Sequence, residues 1–312
     1  MLKKIVDRQV RQFAWARLLV VSPYNTPMGY LAQAQTWKPH PTGPGHTVVG
    51  EVLVYEDLRS PQLGNKRDIL VYLPPSYRKS SRRYPVLYMH DGQNLFDEAT
   101  SYVGEWRVDE SMEVLAREGL EAIVVGIPNM GVERLNEYSP FHDPQHGGGK
   151  GEKYLKFLIE TVKPFIDDEF RTLPGREHTG VMGSSMGGFI SLCAYYLHPE
   201  VFGIAGVVSP AFWFADGAIY SFVEKAPQVP GRLYMDVGFR ELTLSHVSSR
   251  RYLEGVRRMH RLLLQKGWQP GQDYLYLEDP EGVHNESHWA RRFPEMMRFL
   301  FGDKRVEAQA RR

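Results

Sequence analysis

From residue 48 onward the chain alternates between two kinds of hydrophobic pattern. Short apolar runs recur at Val49–Tyr55, Ile69–Leu73, Val86–His90, Ala122–Ile127, Gly180–Gly183, Ile204–Ser209, Leu233–Val237 and Tyr274–Leu277, with the length and make-up of strands. Between the later runs, apolar residues return every three or four positions over Trp106–Ala116, Tyr154–Asp168, Phe189–Leu197, Arg250–Gln265 and His288–Phe301, which predicts helices with one buried face. In the Arg250 segment, Tyr252, Val256, Met259 and Leu263 make that face, while Arg250, Arg257 and Arg261 share another side. The first two runs follow each other without a helix and are expected to pair antiparallel. The alternation after them calls for right-handed parallel crossovers.

Residues 1–46 break from this pattern. Val6, Val10 and Phe13 fall on one side of a short amphipathic stretch, and the Pro/Gly cluster from Pro39 to Gly45 reads as a connector. The expected organisation is an N-terminal extension of unassigned role over 1–46, one α/β domain over 47–302 and an exposed tail over 303–312. Asp7, Arg8, Arg11 and Arg17 interrupt any apolar core near the start, and no apolar run approaches the roughly 18 residues that a spanning helix needs.

Candidate chemistry centres on His178–Tyr195, HTGVMGSSMGGFISLCAY. Its middle, Gly183-Ser184-Ser185-Met186-Gly187, matches G-x-S-x-G with Ser185 in the reactive place. In a chain of this composition such a pentapeptide arises by chance about 0.1 to 0.2 times, so its context matters more than the match. The motif needs a strand before it and a helix after it, and the hydrophobic pattern supplies both. A serine on that sharp turn points into a cleft, with glycines flanking it because the backbone passes close to itself. The following helix aims its N-terminal N–H groups at the serine. An eight-stranded, mostly parallel sheet with the reactive serine after the fifth strand is the α/β-hydrolase plan.

A serine hydroxyl needs a base, and this architecture orders the partners as Ser, then Asp or Glu, then His. His284 lies in DPEGVHNESHW, directly after the last strand and before the last helix, where a base belongs. His288 sits where that helix begins, His260 falls within a helix, and His246 follows a polar loop in an awkward place in the order. For the acid, Asp236 is inside the seventh strand and Glu241 in the loop beyond it. Position above the sheet favours Glu241, and Asp236 is the alternative, expected to be buried and paired. Two N–H groups should hold an oxyanion, one from Met186 and one from Gln93 in the loop after the third strand, where Gly92 permits a close turn and Asp91 is a candidate substrate-binding residue. Phe212 and Trp213 in SPAFWF are candidates for a wall of the substrate cleft.

Bulk properties narrow the partners. With 312 residues, 42% hydrophobic and 24% charged, the chain can bury an ample core under an ordinary polar surface. A net charge of +1 gives no field to attract nucleic acid or anionic membrane, so a small or neutral substrate is expected, an ester if the serine motif acts, and the basic face of the Arg250 helix is a solvated one. Cys193 is the single cysteine and cannot form an internal disulfide, which fits a cytoplasmic protein. Gly147–Gly151 with Lys150 lacks the Ser or Thr and the preceding strand of a phosphate loop. His142, Asp143 and His146 are interrupted by Pro144 and read as a solvated loop rather than a metal site. The oligomeric state is open.

Together these residues resemble the esterase family of α/β-hydrolases that contains esterase D, enterochelin esterases, feruloyl and acetyl-xylan esterases and mycolyltransferases. The segments that carry the resemblance are YMHDGQNLFDE (88–98), RLNEYSP (134–140), REHTGVMGSSMGG (176–188), SPAFWF (209–214), YMDVGFRE (234–241) and HNESHW (284–289). The resemblance implies a serine esterase working through an acyl-enzyme, with Ser185 as nucleophile, His284 as base and Glu241 as acid in a place where many members carry aspartate. It implies no metal and no organic cofactor. An acyltransferase on the same fold and a silent binding protein are the alternatives. Residues 1–46 lie outside the match.

Overall fold

The computed structural model describes residues 36–241 and 248–302. The amphipathic stretch around 6–13, His246 and the tail 303–312 lie outside the described residues. Eleven strands are present among the described residues: β1 (Lys38–Pro39), β2 (Glu51–Ser60), β3 (Asn65–Leu73), β4 (Val86–His90), β5 (Ile123–Ile127), β6 (His142–Asp143), β7 (Gly147–Gly148), β8 (Thr179–Ser184), β9 (Ile204–Val208), β10 (Arg232–Arg240) and β11 (Tyr274–Val283). Nine of them form one sheet in the order β1-β2-β3-β5-β4-β8-β9-β10-β11, and β6 and β7 pair as a small hairpin. The β1/β2, β2/β3 and β3/β5 pairs are antiparallel and the rest of the large sheet is parallel.

The eight long strands are the eight apolar runs of the sequence. The ninth, β1, is too short to show as a run, and it draws residues 38 and 39 of the N-terminal extension onto the sheet edge through Lys38 opposite Val54. The glycine-rich GGGKG tract, read as a loop, supplies β7 and the first residue of a helix.

Alternation along each strand sorts side chains to two faces. Val86 and Tyr88 of β4, Ile123, Val125 and Ile127 of β5, and Leu233, Met235 and Val237 of β10 enter one core. Leu87, Met89, Val124 and Tyr234 enter the other. The second core is closed by α1 (Val108–Arg117) and the last helix of the described chain (Glu286–Phe301), through Met112, Leu115, Phe293, Met296 and Leu300. The first is closed by the remaining helices: α2 (Arg134–Glu137), α3 (Gly151–Phe157), α4 (Lys163–Glu169), α5 (Met186–Leu197), α6 (Ala218–Lys225) and α7 (Ser249–Gln265). The last helix is α8. Burying both faces is what makes the parallel strands read as continuous apolar runs rather than alternating ones.

Two helical expectations need correction. The single helix predicted over Tyr154–Asp168 is α3 and α4 joined by a π-turn at Leu158–Val162. Pro164 follows that turn and has no N–H for an ordinary helical bond, so a widened turn there accommodates it. Helix α6 has only Ile219, Tyr220 and Val223 buried, too short a period to register in the pattern.

The sheet order also fixes where a site can form. The chain leaves β4 to one side for β5 and returns on the other side for β8, so a crevice opens at the carboxyl ends of β4 and β8, where successive connections diverge.

Candidate active site

Six segments deliver side chains to that carboxyl edge: the loop after β4, the residues following β5, the turn after β8, and the residues following β9, β10 and β11. Ser185 occupies the turn between β8 and α5 with φ 58° and ψ −119°, a conformation that costs a residue with a Cβ about 1–3 kcal/mol. Its backbone is held on both sides, the N–H donating to Val208 O at 2.9 Å and the carbonyl accepting from Phe189 N and Ala211 N at 3.0 and 3.1 Å. A Cβ at Gly183 would stand 2.9 Å from the His90 ring and 3.0 Å from Gly187 backbone, so only glycine lets the turn close. Gly92 is under the same constraint, since its Cβ would lie 2.6 Å from the backbone of β5.

Glu241 and His284 meet across the ends of β10 and β11. His284 Nδ1 donates to Glu241 Oε2 at 2.5 Å, since an ionised carboxylate only accepts, and in the neutral imidazole this leaves the lone pair on the other ring nitrogen. The His284 ring is wedged edge-on between Tyr252 and Trp289, with centroids 5.4 and 5.0 Å away. Glu241 is fully buried. Its second oxygen accepts from Ser209 Oγ and from Gly238 N, both at 2.6 Å. Burial works to raise the Glu241 pKa, and the bonds from His284, Ser209 and Gly238 overcome it and hold the carboxylate below its ordinary value.

Asp236, the alternative acid, is engaged elsewhere. It lies inside the sheet with no exposure and takes Arg292 Nε at 2.7 Å and Tyr234 Oη at 2.9 Å. The alternative bases are likewise placed away from the acid: His260 stacks on Tyr276 and bonds Tyr274 Oη, and His288 lies in the first turn of α8 with its N–H capped by Asn285.

Ser185, Met186, Gln93, Asp91, Trp213 and His284 all line one cleft of about 1810 Å³. That volume exceeds the roughly 300–1,000 Å³ of a typical drug-sized pocket. Phe212 does not join them. It is 1% exposed and packs against Phe189 and Tyr220 inside the core, so of the SPAFWF pair Trp213 alone forms cleft wall. Asp91 is at the wall, but its carboxylate is taken by a bidentate Arg134 at 2.7 and 2.8 Å and by Asn129 Nδ2 at 2.7 Å. Burial opposes ionisation of Asp91, and Arg134 and Asn129 outweigh it. The Gln93 side chain accepts from Asn129 N at 3.1 Å, which fixes the loop after β4.

Other cleft residues carried no role in the sequence reading. Arg134, Asn94 and Glu286 fall within the segments RLNEYSP, YMHDGQNLFDE and HNESHW, so the signal was there without an assignment. Glu286 accepts from Asn94 Nδ2 at 3.0 Å, and burial, aided by the Asp91 charge and opposed by a backbone N–H, pushes its pKa up to about 7. Tyr252 was read only as a core-facing helix residue. It is buried and also reaches the cleft. The His142, Asp143 and His146 trio is a closed loop: Asp143 accepts from Gln145 N, His146 N, His146 Nδ1 and Ala215 N.

Comparisons with known proteins agree with this architecture. YbbA of Bacillus subtilis (strain 168), an uncharacterized protein, is 27% identical over 249 residues, covering 78% of this chain and 95% of that protein. The endo-1,4-beta-xylanase/feruloyl esterase of Xylanibacter ruminicola is 28% identical over 154 residues, 48% of this chain and 20% of that one. The crystal structure of an IroE-like serine hydrolase from Shewanella oneidensis superposes with a TM-score of 0.65 at 19% identity, covering 80% of each chain, which places the sheet and helices in the α/β-hydrolase fold. The sequence profile of the family described as Putative esterase matches residues 60–300. The chain belongs to that esterase family.

Proposed function

We propose that this carboxylic-ester hydrolase works through an acyl-enzyme on Ser185. His284 removes the hydroxyl proton through its free ring nitrogen as Oγ bonds to the ester carbonyl carbon. The oxyanion is held by the N–H groups of Met186, at the positive end of α5, and Gln93. When the tetrahedral species collapses, the bond to the leaving alcohol breaks and His284 returns the proton to it. Water, deprotonated by His284 in turn, then releases the acid and restores Ser185. Glu241 keeps the imidazole in the required tautomer and stabilises its protonated form. The observation that carries this reading is the 2.5 Å bond from His284 Nδ1 to a fully buried Glu241 on the cleft that Ser185 lines.

The width of the cleft favours a bulky ester, with Trp213 against one part and the Asp91–Arg134 pair and Glu286 against a polar part. The working compartment assigned on the lone, buried thiol Cys193 is the reducing cytoplasm. Among the described residues no helix is long and apolar enough to cross a membrane.

The test is labelling by a fluorophosphonate together with turnover of p-nitrophenyl acetate. Ser185→Ala is expected to lose all labelling, and Ser185→Ala and His284→Ala each to lose at least about a thousandfold in kcat. Full turnover in either variant overturns the assignment, and an unlabelled wild-type chain supports a silent binding protein. Adding an alcohol acceptor and analysing the products separates hydrolysis from acyl transfer.

A further inference from the structure

A polar cluster outside the ester site joins the arm after β1 to the loop after β4. His40 is 5% exposed and Asp97 is fully buried. Both imidazoles turn Nδ1 toward one carboxylate oxygen: His46 Nδ1 is 2.6 Å from Asp97 Oδ2 and His40 Nδ1 is 3.7 Å from it. One donor atom from each of the three residues lies within 4.8 Å of the others. We propose that His40, His46 and Asp97 bind a divalent transition-metal ion that clasps the arm onto the cleft loop.

Geometry and donor chemistry both support this. Around a tetrahedral ion with bonds of about 2.0–2.2 Å, neighbouring donor atoms stand roughly 3.4 Å apart. The His40–Asp97 spacing is already close to that. The His46–Asp97 spacing must open by less than about 1 Å, a shift open to the more exposed of the two rings. His40 Nδ1 also stands 3.0 Å from Pro41 O, so without an ion its proton points there. A change of tautomer frees that nitrogen and leaves the ring neutral. Two imidazoles and a carboxylate suit a zinc-like ion better than magnesium or calcium, which prefer oxygen alone.

The surroundings already hold Asp97 in place. Asp97 Oδ1 accepts from Thr47 N at 3.1 Å, Ala99 N at 3.0 Å and Thr47 Oγ1 at 3.4 Å, the outer-shell bonding that orients metal-binding carboxylates. Thr47 Oγ1 also reaches Glu105 Oε2 at 3.0 Å. Glu105, Asp109 and Glu110 gather behind it within 4.8 Å. Glu105 Oε1, Asp109 Oδ1 and Glu110 Oε2 are buried with no hydrogen-bond partner among the described residues. Arg107 pairs with Glu110 of this group at 2.9 Å. Burial pushes the Glu105 and Asp109 carboxyls up, to about 7 and about 8, and a cation bound close by would favour their ionised forms.

The clasp would act on the cleft at one remove. Asp97 O accepts from Thr100 N at 3.2 Å and from Ser101 Oγ at 2.9 Å, and Thr100 Oγ1 donates to Gln93 O at 2.8 Å.

The experiment is a Co²⁺ titration of the full chain, tag-free and stripped with chelator. The expected result is a strong visible absorption distinct from that of the aqua ion, saturating at one ion per chain and erased by Zn²⁺. His46→Gln, which keeps a hydrogen-bond donor toward Asp97, should weaken binding by roughly a hundredfold or more, since even outer-shell losses cost 10- to 100-fold. Zn²⁺ should raise the melting temperature of the stripped wild type and leave that of His46→Gln unchanged. Only the aqua-ion spectrum with stripped wild-type protein overturns the proposal, whatever the variant does, and so does wild-type affinity in a folded His46→Gln.

Discussion

At the scale of single residues the hub of the site is Ser209, which the sequence showed as the end of a strand and the start of SPAFWF, without a role of its own. It is fully buried with φ 39°, and every polar group it has is used. Its N–H donates to Asp236 Oδ1 at 3.0 Å, its carbonyl accepts Tyr252 Oη at 2.7 Å, and its hydroxyl donates to Glu241 Oε1 while accepting from Trp289 Nε1 at 3.1 Å. A strained, saturated residue beside a proposed acid is a positioning residue: it fixes where Glu241 can stand. Ser209→Ala is expected to lower kcat roughly ten- to hundredfold, the worth of about 1.5–3 kcal/mol for a bond to a charged group. KM should hold, because Ser209 does not line the cleft. Without that donor Glu241 protonates at higher pH, so the acid limb of the pH–rate profile should move upward. An unmoved acid limb with lowered kcat would reduce Ser209 to a packing role.

Elements carry these residues to one edge, and the pairing of α8 with β10 shows how. Arg292 of α8 is mostly buried and holds Asp236 of β10 through Nε at 2.7 Å and Asp279 of β11 through Nη1 at 2.9 Å. One guanidinium therefore locks the helix onto the two strands that lead into Glu241 and His284. Removing one member of a buried pair strands the other charge, at a cost of about 3–5 kcal/mol. Arg292→Met should lose that much in a urea unfolding series, whereas the double variant Arg292→Met with Asp236→Asn, which removes the stranded charge and keeps an acceptor for Ser209 N and Tyr234 Oη, should recover part of it. No recovery would mean that Arg292 stabilises by packing instead. Such long-range pairs are not legible in a sequence. The strands were, because two-sided burial wrote each of them as an apolar run, and so was the placing of Glu241, because it follows β10 while Asp236 sits within it. The strand β1, the helix α6 and the π-turn before Pro164 were not, each being shorter than the period that would reveal it.

For the whole molecule, the chain order of strands and helices pointed to the site's neighbourhood: in a parallel sheet the residues after β8, β10 and β11 emerge at one edge. What stayed hidden was which side chains face the cleft. Phe212 and Trp213 are neighbours in sequence, yet one is in the core and the other on the wall, and nothing in SPAFWF distinguishes them. Depth of burial also governs how the molecule responds to acid. His90, at the end of β4, is 2% exposed and bonds Tyr154 Oη at 2.8 Å. Burial pushes its pKa down from 6.5 to about 3. The unfolded imidazole takes up a proton below its ordinary value and the native one does not until far lower. The unfolded state therefore binds more protons across that window, and stability falls as pH falls through it. Each pH unit costs up to about 1.4 kcal/mol. Urea midpoints of wild type and His90→Asn, measured at about pH 7 and about pH 5, isolate this group because the other acids titrate alike in both. Wild type should lose up to about 2 kcal/mol more than the variant between those pH values. Equal losses would show that His90 is protonated in the native fold at the lower pH, and that the core beneath the serine turn admits water.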